Sequence, residues 1–303
     1  MTQLTTPPIT LRSDTLCLEL DPEKGGRINR LTIDNPEGQP RDLLHHDEKI
    51  GASFVMAPWT NRIENARFAF QGTEHAIGAN HPDGTAIHGT ARELPWTVGD
   101  RTPVSARLTL DTRNVPLGAS TSFPFRYGAC QRFELGDDSL TIDLSVTNLG
   151  DSPMPAGCGQ HPYFSRTLFR SNDLLTIKAP ITGHYPSEHQ IPTGEPIDDD
   201  FCKALRGGDS FIGAELDEVF TMGNAPIELH WSKSDVRLTI EHSESLGHLV
   251  VFTPLAAPFV CVEPTTMANN GFNAKDPAKV GVRVLQPGET IETRMTFRIT
   301  RGG

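Results

Sequence analysis

Helical periodicity is nearly absent from this 303-residue sequence. A parallel sheet needs helices to cover its faces, so a parallel α/β fold is excluded. No apolar run reaches the ~18 residues of a membrane-spanning helix. Basic clusters are missing too: 27 basic face 38 acidic side chains, a net charge of -11. Such a surface repels phosphate backbones and anionic lipid, so neither nucleic acid nor a membrane is an expected partner. The first residues carry no basic segment leading into an apolar one, and a cytoplasmic location without a secretory leader is expected.

The motifs of several chemistries are also lacking. Five cysteines, at 17, 130, 158, 202 and 261, form no CxxC and no Cys/His spacing of a zinc site. They read as reduced thiols. Cys261 stands two residues before Glu263, as a nucleophile would, but it alternates with apolar neighbours and reads as core. Gly25-Gly26 has no dinucleotide or Walker spacing and precedes a strand, so it is a turn. His45-His46-Asp47-Glu48 lacks an HExxH context and reads as a solvated loop. No GxSxG elbow is present. No metal and no cofactor is expected.

What the sequence has in abundance is alternation. Leu16, Leu18 and Leu20, then Leu108 and Leu110, then Leu140, Ile142, Leu144 and Val146 recur at period two. So do Val236, Leu238 and Ile240; Val280, Val282 and Val284; and Met295, Phe297 and Ile299. These are half-buried strands. Turn residues separate them, as in Asn35-Pro36-Glu37-Gly38, Leu135-Gly136-Asp137-Asp138, Asn148-Leu149-Gly150-Asp151 and Gln286-Pro287-Gly288-Glu289. Helix is expected only over a turn or two from Asp200 to Leu205, stopped at Gly207-Gly208. No linker or repeat divides the chain, so one domain over residues 1–303 is expected. Strands without helices must bury their apolar faces on one another, which predicts an all-β fold, a large antiparallel sandwich.

Against this background, a few polar segments sit in apolar or Gly/Pro-rich surroundings. Glu263 is the oddest, since a carboxylate after Phe259-Val260-Cys261-Val262 is expensive to bury unless paired or functional. Taken together the segments resemble the aldose 1-epimerase, or galactose mutarotase, family, in order from about Gly25 to about Arg298. Asn61-Arg62-Ile63 with Ala66-Arg67-Phe68 is similar to its NRI…GRF, and Asn80-His81-Pro82 with His88-Gly89 to its NNG…LHGG. Gln160-His161-Pro162-Tyr163-Phe164 resembles its HPYF, Pro192-Thr193-Gly194-Glu195 its PTGE, Leu216-Asp217 its substrate-binding aspartate, and Cys261-Val262-Glu263-Pro264 its CxEP. The family fold, a large antiparallel supersandwich, agrees with the strand pattern.

The resemblance implies interconversion of the α and β anomers of an aldose. One group removes the proton of the C1 hydroxyl and another protonates the ring oxygen. By resemblance Glu263 is the base and His161 the acid, while Asn61, Arg62, His88 and Asp217 bind the sugar. The neighbouring carboxylate is expected to favour the imidazolium of His161 and keep its pKa near neutrality. No glutamine stands in Val251-Phe252-Thr253-Pro254-Leu255 or in the stretch after Pro264, as it does in many galactose mutarotases, so galactose itself is not implied. His88-Gly89-Thr90-Ala91-Arg92 with Pro95-Trp96 resembles relatives acting on hexose 6-phosphates. A single arginine is a weak phosphate site, and a neutral aldose is the expected substrate. Two alternatives stay open, a hexose-6-phosphate 1-epimerase and a non-catalytic sugar-binding protein that would stack sugars on Trp59, Trp96 or Tyr163. A glycoside hydrolase would need two carboxylates, where one carboxylate and one histidine stand.

Overall fold

The computed structural model describes residues 6–115 and 123–302; the first five residues, part of the N-terminal reading above, lie outside them. Two large antiparallel sheets dominate. In the first, the strands run in the order Ile9–Arg12, Leu16–Asp21, Arg27–Ile33, Arg41–Leu44, Gly159–Ser165, Phe259–Thr265, His248–Phe252, Asp217–Met222 and Ile181–His184. Ser53–Met56 pairs with both Gly159–Ser165 and Arg27–Ile33. The second runs Thr97–Arg101, Ser105–Asp111, Tyr127–Leu135, Ser139–Asn148, Thr290–Arg301, Val236–His242, Ile227–Trp231 and Leu175–Lys178. The all-β antiparallel sandwich expected from the alternation is the fold observed.

Alternation explains the packing. Along Ser139–Asn148 every second residue is buried, and the same holds for Leu16–Asp21. Their apolar faces meet in one core that includes Leu18, Leu31 and Val262 of one sheet and Leu108, Phe133 and Leu144 of the other. The rings of Phe164 and Phe297 lie 5.4 Å apart across the sheets. Each such side chain contributes about 1.5–3 kcal/mol by leaving water. Polar groups caught between the layers are paired: Trp231 Nε1 donates to the Ser165 carbonyl at 2.8 Å, and Gln160 Nε2 to Gln131 Oε1 at 2.8 Å.

Turn chemistry falls where it was read. Gly136 N–H donates to Ser139 O at 2.8 Å, closing the turn between two long strands. The helix spans Asp200–Gly207; the Asp199 carboxylate caps it by accepting from Cys202 N, and Gly208, at φ 90°, ends it. One strand was misread. Residues 277–281 form turns rather than strand, and only Arg283–Leu285 is extended there. Val284 is exposed and Leu285 buried, so the period-two spacing of Val280, Val282 and Val284 is a coincidence of a turn followed by a short strand.

Candidate active site

Four strands of the first sheet turn one face into the sandwich core and the other toward a cavity of about 740 Å³. Register decides what meets on the cavity side. Gly159 pairs with Thr265 and Tyr163 with Cys261, so His161 stands opposite Glu263. Glu263 also pairs with Val250, which pairs with Val219, and His161 pairs with Phe54. The next row is Asp217, Phe252, Cys261 and Tyr163. One-residue alternation thus sends Val260, Val262 and Phe164 into the core and Cys261, Glu263 and His161 the other way.

His161 Nε2 and Glu263 Oε1 are 3.2 Å apart at the cavity floor. The imidazole is fixed by rings: Tyr163 stacks on it at 4.6 Å between centroids and Phe54 lies 4.6 Å away. His88 approaches it edge-on at 5.0 Å. Arg62 is held at the wall. Its Nε donates to Asp83 Oδ2 at 3.0 Å, its Nη1 to Asn61 Oδ1 at 3.3 Å, and Nη1 lies 3.8 Å from Asp217 Oδ2. Asp83 is itself locked, because Oδ1 accepts from both the backbone and the hydroxyl of Thr85.

Backbone strain marks the same place. Asn61 and His88 have positive φ, 50° and 65°, and His88 N–H donates to Asn61 O at 2.9 Å. Non-glycine residues reach that region at a cost, and such positions cluster at functional sites. Gly89 follows at φ 69°; a Cβ there would lie 2.0 Å from the Ala57 carbonyl oxygen, so only glycine permits this approach.

Electrostatics depart from the sequence expectation. Burial pushes the Glu263 carboxyl well above the usual range, Asp217 adds to this, and Arg62 opposes it. Burial, helped by Arg92, lowers His161 to about 3. The carboxylate therefore does not hold the imidazole near its ordinary value, because desolvation outweighs the attraction in a site this closed. Both shifts leave one proton on the pair over a wide span of pH, which is also the count an ion pair would have. Burial lowers His88 well below its ordinary value, with His161 contributing. Asp217 is raised by burial against the pull of Arg62. For Asp83, hydrogen bonds from Thr85, Arg62 and His81 outweigh burial and hold the carboxyl well below the usual range.

The structure gathers all six residues singled out in the sequence, Asn61, Arg62, His88, His161, Asp217 and Glu263, around one cavity. Pro192-Thr193-Gly194-Glu195 is not among the lining residues; its Glu195 pairs with Lys279 at 2.6 Å. Trp96 is no stacking surface: it is buried, with Nε1 donating to Ala91 O at 3.0 Å. His45 and His46 share no site either, since His46 Nδ1 contacts Asn29 O while His45 stacks near Phe259. Cys261 is fully buried, as read, yet one ligand atom each of His161, Cys261 and Glu263 fall within 4.8 Å of one another, the donor set there that would suit a metal.

The family match extends over residues 9–298, to the description Aldose 1-epimerase. The chain belongs to the aldose 1-epimerase family. Among curated relatives, the uncharacterized protein YphB of Escherichia coli (strain K12) is 27% identical over 295 residues, 87% of this chain and 91% of that protein. YihR of the same organism is 26% identical over 73% of this chain and 71% of that one. A galactose mutarotase-like protein from Clostridium acetobutylicum superposes with TM-score 0.87 at 19% identity, covering 97% and 95% of the two chains. The GalM/aldose epimerase homologue from C. elegans gives 0.82 at 17% identity over 98% and 99%. These two share the galactose mutarotase-like fold. No helix among the described residues is long and apolar enough to cross a membrane.

In this member of the aldose 1-epimerase family, the sequence reading missed the side chains that position the chosen ones. Phe54 belongs to a segment with no polar anomaly, and Asp83, next to the quoted Asn80-His81-Pro82, was not singled out because only the fold brings it to Arg62. Tyr163 was named as a sugar-stacking residue, but not as the ring that stacks on His161, two residues away on the same strand face. Lys24, Arg27 and Lys49 were missed because only the fold brings them to Arg92. The Gly25 turn, where a Cβ would sit 2.2 Å from the Arg92 carbonyl oxygen, is the point of contact. The four cations line a side pocket of about 240 Å³ that shares Ile50, Phe54, Arg92 and Glu93 with the main cavity.

Proposed function

We propose that this protein interconverts the α and β anomers of an aldose by general acid/base opening and closing of the ring. The observation that carries the reading is the Glu263–His161 pair, 3.2 Å apart, on the floor of a cavity ringed by Asn61, Arg62, His88 and Asp217. The C1 hydroxyl oxygen and the ring oxygen are both bonded to C1, so the base serving one and the acid serving the other must be neighbours. Adjacent strands in register supply that closeness.

In this reading Glu263 takes the hydroxyl proton and His161 gives one to the ring oxygen. The C1–O5 bond breaks, C1 turns about its bond to C2, and closure on the other face returns both protons. The reactive form is carboxylate plus imidazolium, reached by moving the shared proton to the imidazole. Sugar hydroxyls donating to Glu263 favour that form as they replace the solvation burial removed. Arg62, fixed by Asp83 and Asn61, and Asp217 beside it grip hydroxyls at the wall, which sets the ring in place for transfer. A pair of proton-transfer groups is more than a sugar-binding module needs, which favours an enzyme. The test is exchange between anomers of glucose and galactose, followed by NMR and polarimetry. A folded protein that leaves the rate for every aldose at its buffer value sinks the proposal.

A second reading, a hexose-6-phosphate 1-epimerase, gains from one observation. The neutral-aldose expectation rested on Arg92 standing alone, whereas Lys24, Arg27 and Lys49 line the same side pocket, with Glu23 and Glu93 as its acids. The comparison that separates the readings is kcat/KM for glucose against glucose 6-phosphate in wild type, Arg92→Ala and Lys24→Ala/Lys49→Ala. A phosphate ester preferred tenfold or more, with the preference lost in both variants, selects the second reading.

A further inference from the structure

We propose that His161, Cys261 and Glu263 form an inhibitory binding site for a thiophilic divalent cation, Zn²⁺ being the probe, at the cavity floor. One donor atom from each lies within 4.8 Å of the others. In tetrahedral zinc sites with bonds of about 2.0–2.3 Å, donors stand roughly 3.3–3.8 Å apart. The His161–Glu263 spacing of 3.2 Å already approaches that, and the sulfur, within 4.8 Å of both, has no more than about 1.3 Å to close. The three residues sit on two adjacent strands, and Phe54 and Tyr163 hold the imidazole between them. A rigid donor set loses little freedom on binding.

Two further observations point to a ligand. Glu263 Oε2, on the carboxylate that faces the proposed ion, is buried without a hydrogen-bond partner. Among the described residues Glu263 ion-pairs with His161 and with no lysine or arginine, so a cation would fill an electrostatic gap. Charge balances as well. Zn²⁺ replaces two protons, the Cys261 thiol proton and the one shared by the pair, and both leave to solvent while no electron moves. The cluster keeps its total charge, so the burial that disfavours each anion singly does not oppose the complex. Water from the cavity completes the coordination, and the thiolate selects Zn²⁺ or Cd²⁺ over Mg²⁺. A bound ion occupies both the base and the acid, which makes it an inhibitor.

The metal site rests on geometry and not on the proposed activity; only its inhibitory effect rests on that reading. The experiment uses Cys17→Ser/Cys130→Ser protein, lacking the two less buried thiols. Titration with Cd²⁺ should give one equivalent of thiolate-to-metal ultraviolet absorption, absent in Cys261→Ala. Calorimetry should show Zn²⁺ binding at least tenfold weaker in Cys261→Ala and in Glu263→Gln, with no Mg²⁺ binding. Absorption that never appears in folded protein, or that survives in Cys261→Ala, overturns the site. If Cys261→Ala does not fold by circular dichroism, unchanged Zn²⁺ affinity in Glu263→Gln overturns it. Saturating Zn²⁺ that leaves anomer exchange undiminished overturns the inhibition alone. No exchange even without metal sinks the proposed activity and leaves the metal site standing.

Discussion

The one-proton state of the Glu263–His161 pair can be tested through folding stability. His161 titrates near 6.5 when unfolded and near 3 when folded, because burial excludes its charge. The unfolded chain therefore takes up a proton that the folded pair refuses. For a group whose folded value is depressed by burial of its neutral form, stability is lost as pH falls from about 6.5 toward about 3. Between pH 7 and pH 5 the unfolded histidine alone gains about 2 kcal/mol from protonation. In His161→Asn that gain disappears, while Glu263 and the other groups still titrate. The assay is urea unfolding at pH 7 and pH 5 for both proteins. Wild type should lose about 2 kcal/mol more than His161→Asn over this step. An equal loss in the two proteins refutes the reasoning, since it means the folded pair accepts its second proton as readily as a free imidazole.

Other consequences are open to direct measurement. Glu263→Gln should lower kcat on the order of 10²-fold or more with a modest change in KM; near-normal turnover in folded protein removes Glu263 from the base role. Urea unfolding should also show wild type losing stability relative to Glu263→Gln as pH rises above about 4.5, because the raised folded pKa keeps the carboxyl protonated where the unfolded chain releases its proton. Activity against pH should show a broad plateau through neutrality, because opposite shifts hold the pair at one proton; a narrow bell centred near 6 contradicts that count. Asp83→Asn should raise KM several-fold more than it lowers kcat by loosening Arg62, and an unchanged KM would show that Arg62 holds its place without it. Gly89→Ala should fail to fold or lose several kcal/mol in thermal unfolding, given its approach to Ala57 O, and wild-type stability would contradict that contact.

How much was legible follows from what each level of structure depends on. Period-two alternation is local, so Leu140 to Val146 and Met295 to Ile299 announced their strands and buried faces. The same signal failed at Val280, where spacing alone cannot separate a strand from a turn. Glu263 and His161 stood out because a charge in an apolar strand and a histidine in a recognisable segment are visible one residue at a time. Their 3.2 Å contact was not, because it depends on which strands pair and in what register. Nor was the depressed histidine pKa, since desolvation is a property of the assembled cavity rather than of Gln160-His161-Pro162. The gathering of Lys24, Arg27 and Lys49 beside Arg92 needed the whole fold for the same reason.

The strand pair that carries Glu263 and His161 has a consequence for how such a protein diversifies. On the proposed mechanism its reacting atoms stand on the interior of a ten-stranded sheet, whereas the partly exposed His81 and Arg92, which also line the cavity, come from the connections after Ile63 that form its rim. On the proposed function, substitutions in the rim would alter which sugar is admitted without disturbing ladder hydrogen bonds, and substitutions on the platform would disturb both. On that reading a lineage can explore new substrates by editing its connections while the proposed proton-transfer pair is inherited unchanged, and grafting a rim from one relative onto the sheet of another becomes a practical route to altered selectivity.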